Sequence, residues 1–438
     1  MSDREELNNR RQQREARRKQ LMEQQRKLKM KLIAAAAVLL VCAIIIGVMA
    51  GGDDSAAGEE GKLSTEESTL TATQPEETEK AKRDPTTVIH IRAAGDLNVT
   101  DEVILSGAGA NGYDFTLPFL NVASVLSDAD LTLLNFEGNL CGEPYGSKST
   151  SAPLQLAQAL HAAGVDMVQV ANSCTVNNGL LGMTSTMNSL RSAGIEPVGA
   201  FSTPEEFQKT KGYTICQIQG IKVAVVAFTK GVGSMGLPLG NEDCVNLLYT
   251  DYATTYQEID KDRIRKILKN VASEKPDITI ALLHWGSEYN DTISSSQKSI
   301  ASLMKSQGVD IIIGTHSHRV QQIEYDELSG TLVAYSLGDF FGDAKEAGSN
   351  YSIVLDIEIT RDSDAGVTQV TGYSIIPIYT LKQSETCDSQ RRVVTIADAM
   401  KAYEEDFVDK VPAEAYTALD AALDRINDRI KVKTDAKK

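Results

Sequence analysis

Residues 309–319 read VDIIIGTHSHR, an apolar run that passes into a loop with two histidines. Such a run of isoleucines is typical of a fully buried strand. Other apolar runs give way to polar residues in the same manner: VIHIRAAGD at 88–96, LTLLNFEGN at 131–139 and DITIALLHWGSE at 277–288. We therefore predict buried strands that present polar side chains at their carboxyl ends.

The segments between these strands have helical periodicity. Residues 259–274 carry apolar side chains at helical spacing, and residues 115–129, 151–164 and 294–308 are also predicted helices. Gly164 is a plausible cap at the end of the helix predicted over residues 151–164. Strands that alternate with helices predict an α/β body with substantial parallel pairing.

Polar residues at strand ends are the candidate functional residues, because ligands of α/β folds bind at the carboxyl ends of strands. His316 and His318 form an HxH pair, and alternate residues of an extended chain point the same way, so both rings could reach one ion. Imidazole with carboxylates suits Zn, Mn or Fe, and a two-metal site can clamp a phosphoryl or acyl group. The alternative, that these are ordinary loop histidines, stays open here. The strand-end candidates are Asp96, Glu137, Asn172, His284, His316 and His318.

Several long motifs occur in a fixed order between about residue 88 and residue 380. They are GDLNV (95–99), LTLLNFEGNL (131–140), GVDMVQVANSCTVNNGLLGMTSTMNSLRSAGI (164–195), LLHWGSEYN (282–290), GVDIIIGTHSHRVQQIE (308–324) and VAYSLGDF (333–340). In these motifs the chain resembles the CapA family of capsule or poly-γ-glutamate biosynthesis proteins.

The resemblance implies a metallophosphoesterase-like fold, a four-layer α/β/β/α sandwich, over residues 86–385. It also implies a role in making, anchoring or exporting an anionic capsular polymer. The metal ligands implied for a divalent ion, Mn, Zn or Fe, are Asp96, Glu137, His284, His316 and His318. The substrate-binding residues implied are Asn98, Trp285, Glu288 and Asp339.

The chain departs from the family pattern where the family has Ala-Asn-Asn-His. Here the sequence is Ala-Asn-Ser-Cys at 171–174, so the catalytic residues implied become Asn172, Cys174 and His284. Cys174 could ligate zinc as a thiolate, with a different geometry. Asp339 stands where the family has Asn. These departures fit either a diverged metal-dependent hydrolase or an inactive accessory subunit that binds an envelope polymer or its synthase.

The composition of the chain excludes some classes of protein and argues against one class of partner. The chain has 438 residues, 42% hydrophobic residues and a formal net charge of −16. The apolar content excludes a wholly disordered chain. The acidic balance argues against nucleic acid as a partner, because phosphate binding needs clustered Lys and Arg.

The amino-terminal region predicts a membrane anchor. Residues 1–31 hold 11 basic and 5 acidic side chains, and the following residues 32–52 carry no charge. This length can cross a hydrocarbon core, and the basic flank places residues 1–31 in the cytoplasm and the main domain outside. A cleaved signal peptide is the less favoured alternative. We expect a single-pass cell-membrane protein in contact with the lipid bilayer through residues 32–52.

Two further segments flank the body. Residues 53–85 are rich in Glu, Ser, Thr and Ala and predict a disordered acidic stalk. Residues 386–438 predict a carboxyl-terminal helical segment, with two amphipathic stretches between about 393 and 430. This segment is expected either to pack on the body or to mediate association.

Overall fold

The computed structural model describes residues 86–233, 236–386, 390–407 and 411–430. The predicted cytoplasmic segment, transmembrane helix and stalk, at 1–31, 32–52 and 53–85, lie outside the described residues. Of the helices in the described ranges, none combines the length and the apolar character needed to cross a bilayer.

The described chain alternates strands with helices, as predicted. The strands are β1 (Thr86–Asn98), β2 (Ala108–Gly109), β3 (Gly112–Tyr113), β4 (Leu131–Glu137), β5 (Met167–Gln169), β6 (Glu196–Val198), β7 (Thr214–Ile218), β8 (Ile221–Thr229), β9 (Ile278–His284), β10 (Ile311–Thr315), β11 (Ile323–Asp326), β12 (Thr331–Ala334), β13 (Asp339–Phe341), β14 (Tyr351–Asp362), β15 (Val367–Leu381) and β16 (Arg392–Thr395). The helices are α1 (Asp101–Gly107), α2 (Thr116–Phe119), α3 (Ala123–Ser127), α4 (Leu154–Ala163), α5 (Gly179–Ser192), α6 (Pro204–Thr210), α7 (Lys261–Ser273), α8 (Ser295–Ser306), α9 (Ile396–Glu404) and α10 (Ala413–Ile430).

Two large sheets organise the body. The first has the strand order β16-β15-β14-β1-β4-β5-β6, with β13 also paired to β1, and the second has the order β11-β12-β10-β9-β8-β7. Strands β1, β4, β5 and β6 pair in parallel, and so do β8, β9, β10 and β12. The predicted mixed α/β fold with parallel pairing is confirmed.

A hydrophobic core lies between the two sheets. Ile91 of β1, Val225 of β8 and Ile313 of β10 share one cluster. Their sequence neighbours on the other face of the second sheet, such as Val226 and Ile312, join a different cluster with α7 and α8. This alternation is the period of two expected of strands buried on both faces.

Helix α7 shows why the predicted helices form. Its buried residues Ile264, Ile267, Leu268 and Val271 recur at helical spacing, so one stripe faces the second sheet. The Asp260 side chain accepts a hydrogen bond from the backbone N–H of Arg263 and caps the amino terminus. The predicted bounds, 259–274, differ from the observed ones by one or two residues at each end.

The helix predicted over residues 115–129 is instead two short helices, α2 and α3. Between them the backbone N–H of Val122 donates to Phe119 O at 3.1 Å, three residues back rather than four. The tighter turn ends α2 and redirects the chain before Ala123. The prediction of one continuous helix was wrong.

The carboxyl-terminal segment packs on the body. Strand β16 pairs with β15 at the edge of the first sheet. Ile396 of α9 and Leu419 and Ile426 of α10 belong to the same cluster that fills the space between the sheets. Residues 392–395, predicted as the start of a helix, form a strand because their β-branched side chains fit a sheet edge.

Candidate functional site

The candidate residues meet where the carboxyl ends of strands from both sheets converge. Asp96 lies near the end of β1, Glu137 ends β4 and His284 ends β9. His316 and His318 follow β10, while Asp339 begins β13. The strand-end placement predicted from the sequence is thus found for these residues.

A close approach of two backbones positions Asp96. The backbone N–H of Asp96 donates to Gly338 O at 3.0 Å. A Cβ atom at Gly95 would fall 1.8 Å from that same oxygen. Only glycine fits before the aspartate, which explains the Gly-Asp motif.

The Asp96 carboxylate is fully buried and held by two donors. It accepts from the backbone N–H of His316 at 3.0 Å and from the side-chain amide of Asn135 at 2.6 Å. Burial raises its pKa to about 6, although the charge of His318 acts in the opposite direction.

Glu137 and His284 form a second pair. Glu137 Oε1 lies 3.1 Å from His284 Nε2 and accepts from the Ser173 hydroxyl at 3.0 Å. Burial, and then the charge of Asp96, raise the pKa of Glu137 to about 8. Burial lowers the pKa of His284, so its ring is neutral. Thr315 Oγ1, 3.3 Å from His284 Nδ1, helps to fix the ring.

The two histidines of the HxH pair occupy different environments. His318 Nδ1 lies 2.8 Å from Asp339 Oδ1 and 3.6 Å from Asp96 Oδ2. Although burial opposes it, these carboxylates raise the pKa of His318 to about 11. Burial lowers the pKa of His316 to about 3, and the buried Nδ1 atom of His316 has no hydrogen-bond partner among the described residues.

The backbone between these histidines is not extended. His316 has a φ of 85° and His318 a φ of 53°, both in the left-handed region. The expectation of an extended chain was therefore wrong, although both rings can still reach one ion together with Glu288. The loop instead separates the ring centroids by 6.1 Å.

In the part of the chain that the structure describes, three groups of side chains could hold a metal ion. Within each group the ligand atoms lie within 4.8 Å of one another. The groups are Glu137 with His284 and His316, Asp96 with Glu137 and His318, and Glu288 with His316 and His318.

Other predicted residues take different places. Trp285 is fully buried, stacks on Tyr335 and donates from Nε1 to Tyr335 O at 2.9 Å, so the prediction of a substrate contact does not fit its position. Asn98 lies opposite Glu137 in the register of β1 and β4. Asp339 contacts His318, and Glu288 is exposed at the edge of the cluster.

Asn172 and Cys174 stand beside the cluster rather than in the three metal-binding groups. The Asn172 amide donates to Asn135 Oδ1 at 3.0 Å and to Phe136 O at 2.8 Å. Burial, and then the charge of Glu137, raise the pKa of the Cys174 thiol. Among the described residues, Cys174 belongs to none of the groups whose ligand atoms lie close enough together to hold a metal ion.

Sequence reasoning missed three residues of the site. Asn135 and Ser173 hold the two carboxylates, and although both lie in the motifs quoted above, neither was predicted as a site residue. Lys230 follows β8 directly, and its backbone N–H donates to His284 O at 2.8 Å. The strand-end criterion that selected the histidines would have selected Lys230 as well.

The family model described as bacterial capsule synthesis protein PGA_cap matches residues 90–344. The chain belongs to this family. Capsule biosynthesis protein CapA of Bacillus anthracis is 24% identical over 338 residues, which cover 75% of this chain and 74% of that protein. PGA biosynthesis protein CapA of Bacillus subtilis is 26% identical over 205 residues, 47% of this chain and 50% of that protein.

Among solved structures, this PGA_cap-family chain is similar to the calcineurin-like phosphoesterase YfkN from Bacillus subtilis. That likeness has a TM-score of 0.40 at 17% identity and covers 78% of this chain and 100% of that one.

Proposed function

We propose that this protein acts in the synthesis of an anionic capsular polymer of the poly-γ-glutamate type, through a divalent metal centre of metallophosphoesterase type. The step would be hydrolysis or transfer on the polymer. Membership of the capsule synthesis family and the names of the relatives support the polymer. The observation that carries the metal centre is the Nδ1 atom of His316, which is buried beside carboxylates and a neutral imidazole and has no hydrogen-bond partner within the described ranges.

The surroundings of His284 Nε2 also fit a bound cation. His284 Nε2 lies 3.1 Å from Glu137 Oε1 and 3.2 Å from the backbone N–H of Ser173. With Glu137 ionised, as a metal ligand would be, one neutral imidazole nitrogen cannot donate to the first and accept from the second, so these two contacts compete. A mixed set of imidazole and carboxylate donors suits Mn, Zn or Fe.

The ligands would be Asp96, Glu137, His284, His316 and His318. A divalent ion held by them would supply Lewis-acid polarisation of a carbonyl or phosphoryl oxygen. The surrounding residues fix the ligand orientations: Asn135 holds the Asp96 carboxylate and Asp339 holds the His318 ring.

The test is the length of the polymer after incubation with the full-length protein. We expect poly-γ-glutamate to be shortened or transferred in the presence of Mn²⁺ or Zn²⁺, and this activity to be lost in His316→Ala and with a chelator. Size-exclusion chromatography measures the chain length. Metal-loaded wild-type protein that leaves the polymer unchanged would contradict a catalytic role.

The second candidate is an accessory subunit that binds the polymer or its synthase without turnover. The position of Ser173 and Cys174 favours it, because the Cys174 thiol is in none of the three metal-binding groups. Under this alternative the double variant S173N/C174H gains metal affinity or activity that the wild type lacks. Robust turnover by the wild type would rule it out.

We further propose that residues 32–52 anchor the protein in the cell membrane with the amino terminus in the cytoplasm. The uncharged sequence of this segment and its basic flank support the anchor. The full-length chain is then expected in the membrane fraction and a chain without residues 1–52 in the supernatant. Recovery of both chains in the supernatant would contradict it.

A further inference from the structure

Lys230 stands at the edge of the proposed metal centre. Thr229, the last residue of β8, is paired with His284, the last residue of β9. The backbone N–H of Lys230 then donates to His284 O at 2.8 Å. The lysine is therefore fixed next to a proposed ligand by the sheet itself.

The Lys230 side chain is held in place by a carbonyl oxygen and an aromatic ring, with no carboxylate of the described residues in salt-bridge contact. Its Nζ donates to Gly286 O at 2.8 Å and lies 4.6 Å from the centroid of the Tyr256 ring. Tyr256 also packs against Gly231, the residue after Lys230, since a Cβ at Gly231 would fall 2.9 Å from the Tyr256 ring. The aromatic face stabilises the ammonium group and limits its freedom.

The ammonium group keeps hydrogen-bonding capacity. Within the described ranges, Gly286 O is the acceptor recorded for Nζ, and an ammonium group has three N–H donors. The contact with Gly286 O keeps Nζ at the end of β9, two residues after His284, and the ring centroids of His284 and His316 are 4.3 Å apart.

A fixed cation matters here because the site is strongly acidic. Asp96, Glu137, Asp339 and Glu288 surround the histidines. The chain carries a formal charge of −16. An anionic polymer is repelled by such a surface unless a local positive group compensates.

Arg319 is the neighbouring cation along the loop, but it is packed against protein. Its guanidinium lies 5.8 Å from the centroid of the Tyr289 ring. A Cβ at Gly348 would fall 2.0 Å from Arg319 Nη1, which shows how closely the chain covers it. Lys230 is the better placed of the two for a ligand.

We propose that Lys230 is a specificity-determining residue that binds a carboxylate of the acidic polymer beside His284 and His316. This inference rests on the proposed function, since it takes the polymer as the substrate. It assigns recognition of the polymer charge to a residue outside the proposed ligand set.

The test compares a charged and a neutral polymer on the full-length, metal-loaded protein. The dissociation constants of poly-γ-glutamate and of its neutral amide, poly-γ-glutamine, are measured for wild type, Lys230→Gln and Lys230→Arg. Loss of one charge-assisted hydrogen bond is expected to weaken poly-γ-glutamate binding by roughly 10- to 100-fold in Lys230→Gln. Lys230→Arg keeps the charge and should stay within about threefold of wild type, by the same arithmetic.

Matched controls separate recognition from structure. Lys269→Gln removes an exposed lysine of α7 and should leave both dissociation constants unchanged. The metal content of Lys230→Gln should equal that of wild type, and its affinity for the neutral polymer should not change. Lys230→Met provides a second neutral side chain if the Gln variant does not fold.

The outcomes distinguish this inference from the proposed function. Equal binding of poly-γ-glutamate by wild type and Lys230→Gln would overturn the role of Lys230 and leave the metal centre standing. The role of Lys230 would also be overturned if Lys230→Gln lost affinity for both polymers equally, or if metal-loaded wild type bound neither polymer. The metal centre would stand in both cases. Wild-type protein that holds no metal would contradict the proposed function itself.

Discussion

At the scale of single residues, the HxH pair shows how one motif yields two different groups. His318 lies among carboxylates that raise its pKa to about 11, whereas burial lowers that of His316 to about 3. No residue that the structure describes forms a hydrogen bond with His316 Nδ1. The sequence predicted both histidines as ligands, but the left-handed backbone that separates them has no signature in the residue types.

Cys174 offers a test of which side chains bind metal. Since its thiol has a raised pKa and lies outside the metal-binding groups, Cys174→Ala should change metal affinity by less than about threefold. His316→Ala should weaken it by more than about 100-fold, because even residues that only orient ligands cost about 10- to 100-fold. Competition with a chromogenic chelator measures both. Loss of metal from Cys174→Ala alone would show that the thiol is a ligand.

Trp285 should act on stability rather than on ligand binding. Trp285→Phe removes the hydrogen bond to buried Tyr335 O and leaves a cavity, so the free energy of unfolding should fall by about 2–4 kcal/mol. Urea unfolding measures this change. A variant of wild-type stability with weakened polymer binding would instead support the substrate contact implied by the resemblance.

At the scale of strands and helices, the positions of the functional residues could be predicted because strand ends are visible in the sequence. Strand β10 ends at Thr315, where the apolar residues before His316 give way to polar ones. The pairing of Asp96 with Asp339 could not be predicted, because it depends on β13 joining β1 from far along the chain. Lys230 also follows a strand end, but an ammonium group does not ligate metals, so a search for ligand types does not predict it.

Gly95 tests how closely β1 must approach Gly338. Gly95→Ala would place a methyl group 1.8 Å from Gly338 O, which neither backbone can avoid without moving. We expect a loss of about 1–3 kcal/mol or more in the free energy of unfolding, together with reduced metal affinity, because Asp96 is displaced.

The matched control is Gly372→Ala in β15, where a Cβ would meet nothing within 4 Å. That variant should stay within about 0.5 kcal/mol of wild type in the free energy of unfolding. Thermal and urea unfolding measure the stability of both variants. Equal stability of the two would show that the close approach at Gly95 is not required.

At the scale of the whole molecule, the carboxyl-terminal segment shares the core of the two sheets. Leu419 of α10 is fully buried in that core, so Leu419→Ala should lower the free energy of unfolding by about 2–5 kcal/mol. Asp420→Ala, at an exposed position of the same helix, should have almost no effect. An unchanged single unfolding transition in Leu419→Ala would mean that α10 is not part of the cooperative unit.

The central claim is that the buried histidines and carboxylates form a divalent metal centre. Its most direct test is the metal content of the purified full-length protein by elemental mass spectrometry, beside the His284→Ala/His316→Ala double variant. We expect one or two tightly bound divalent ions in the wild type and their loss in the double variant. Wild-type protein without bound metal after incubation with Zn²⁺ and Mn²⁺ would contradict it.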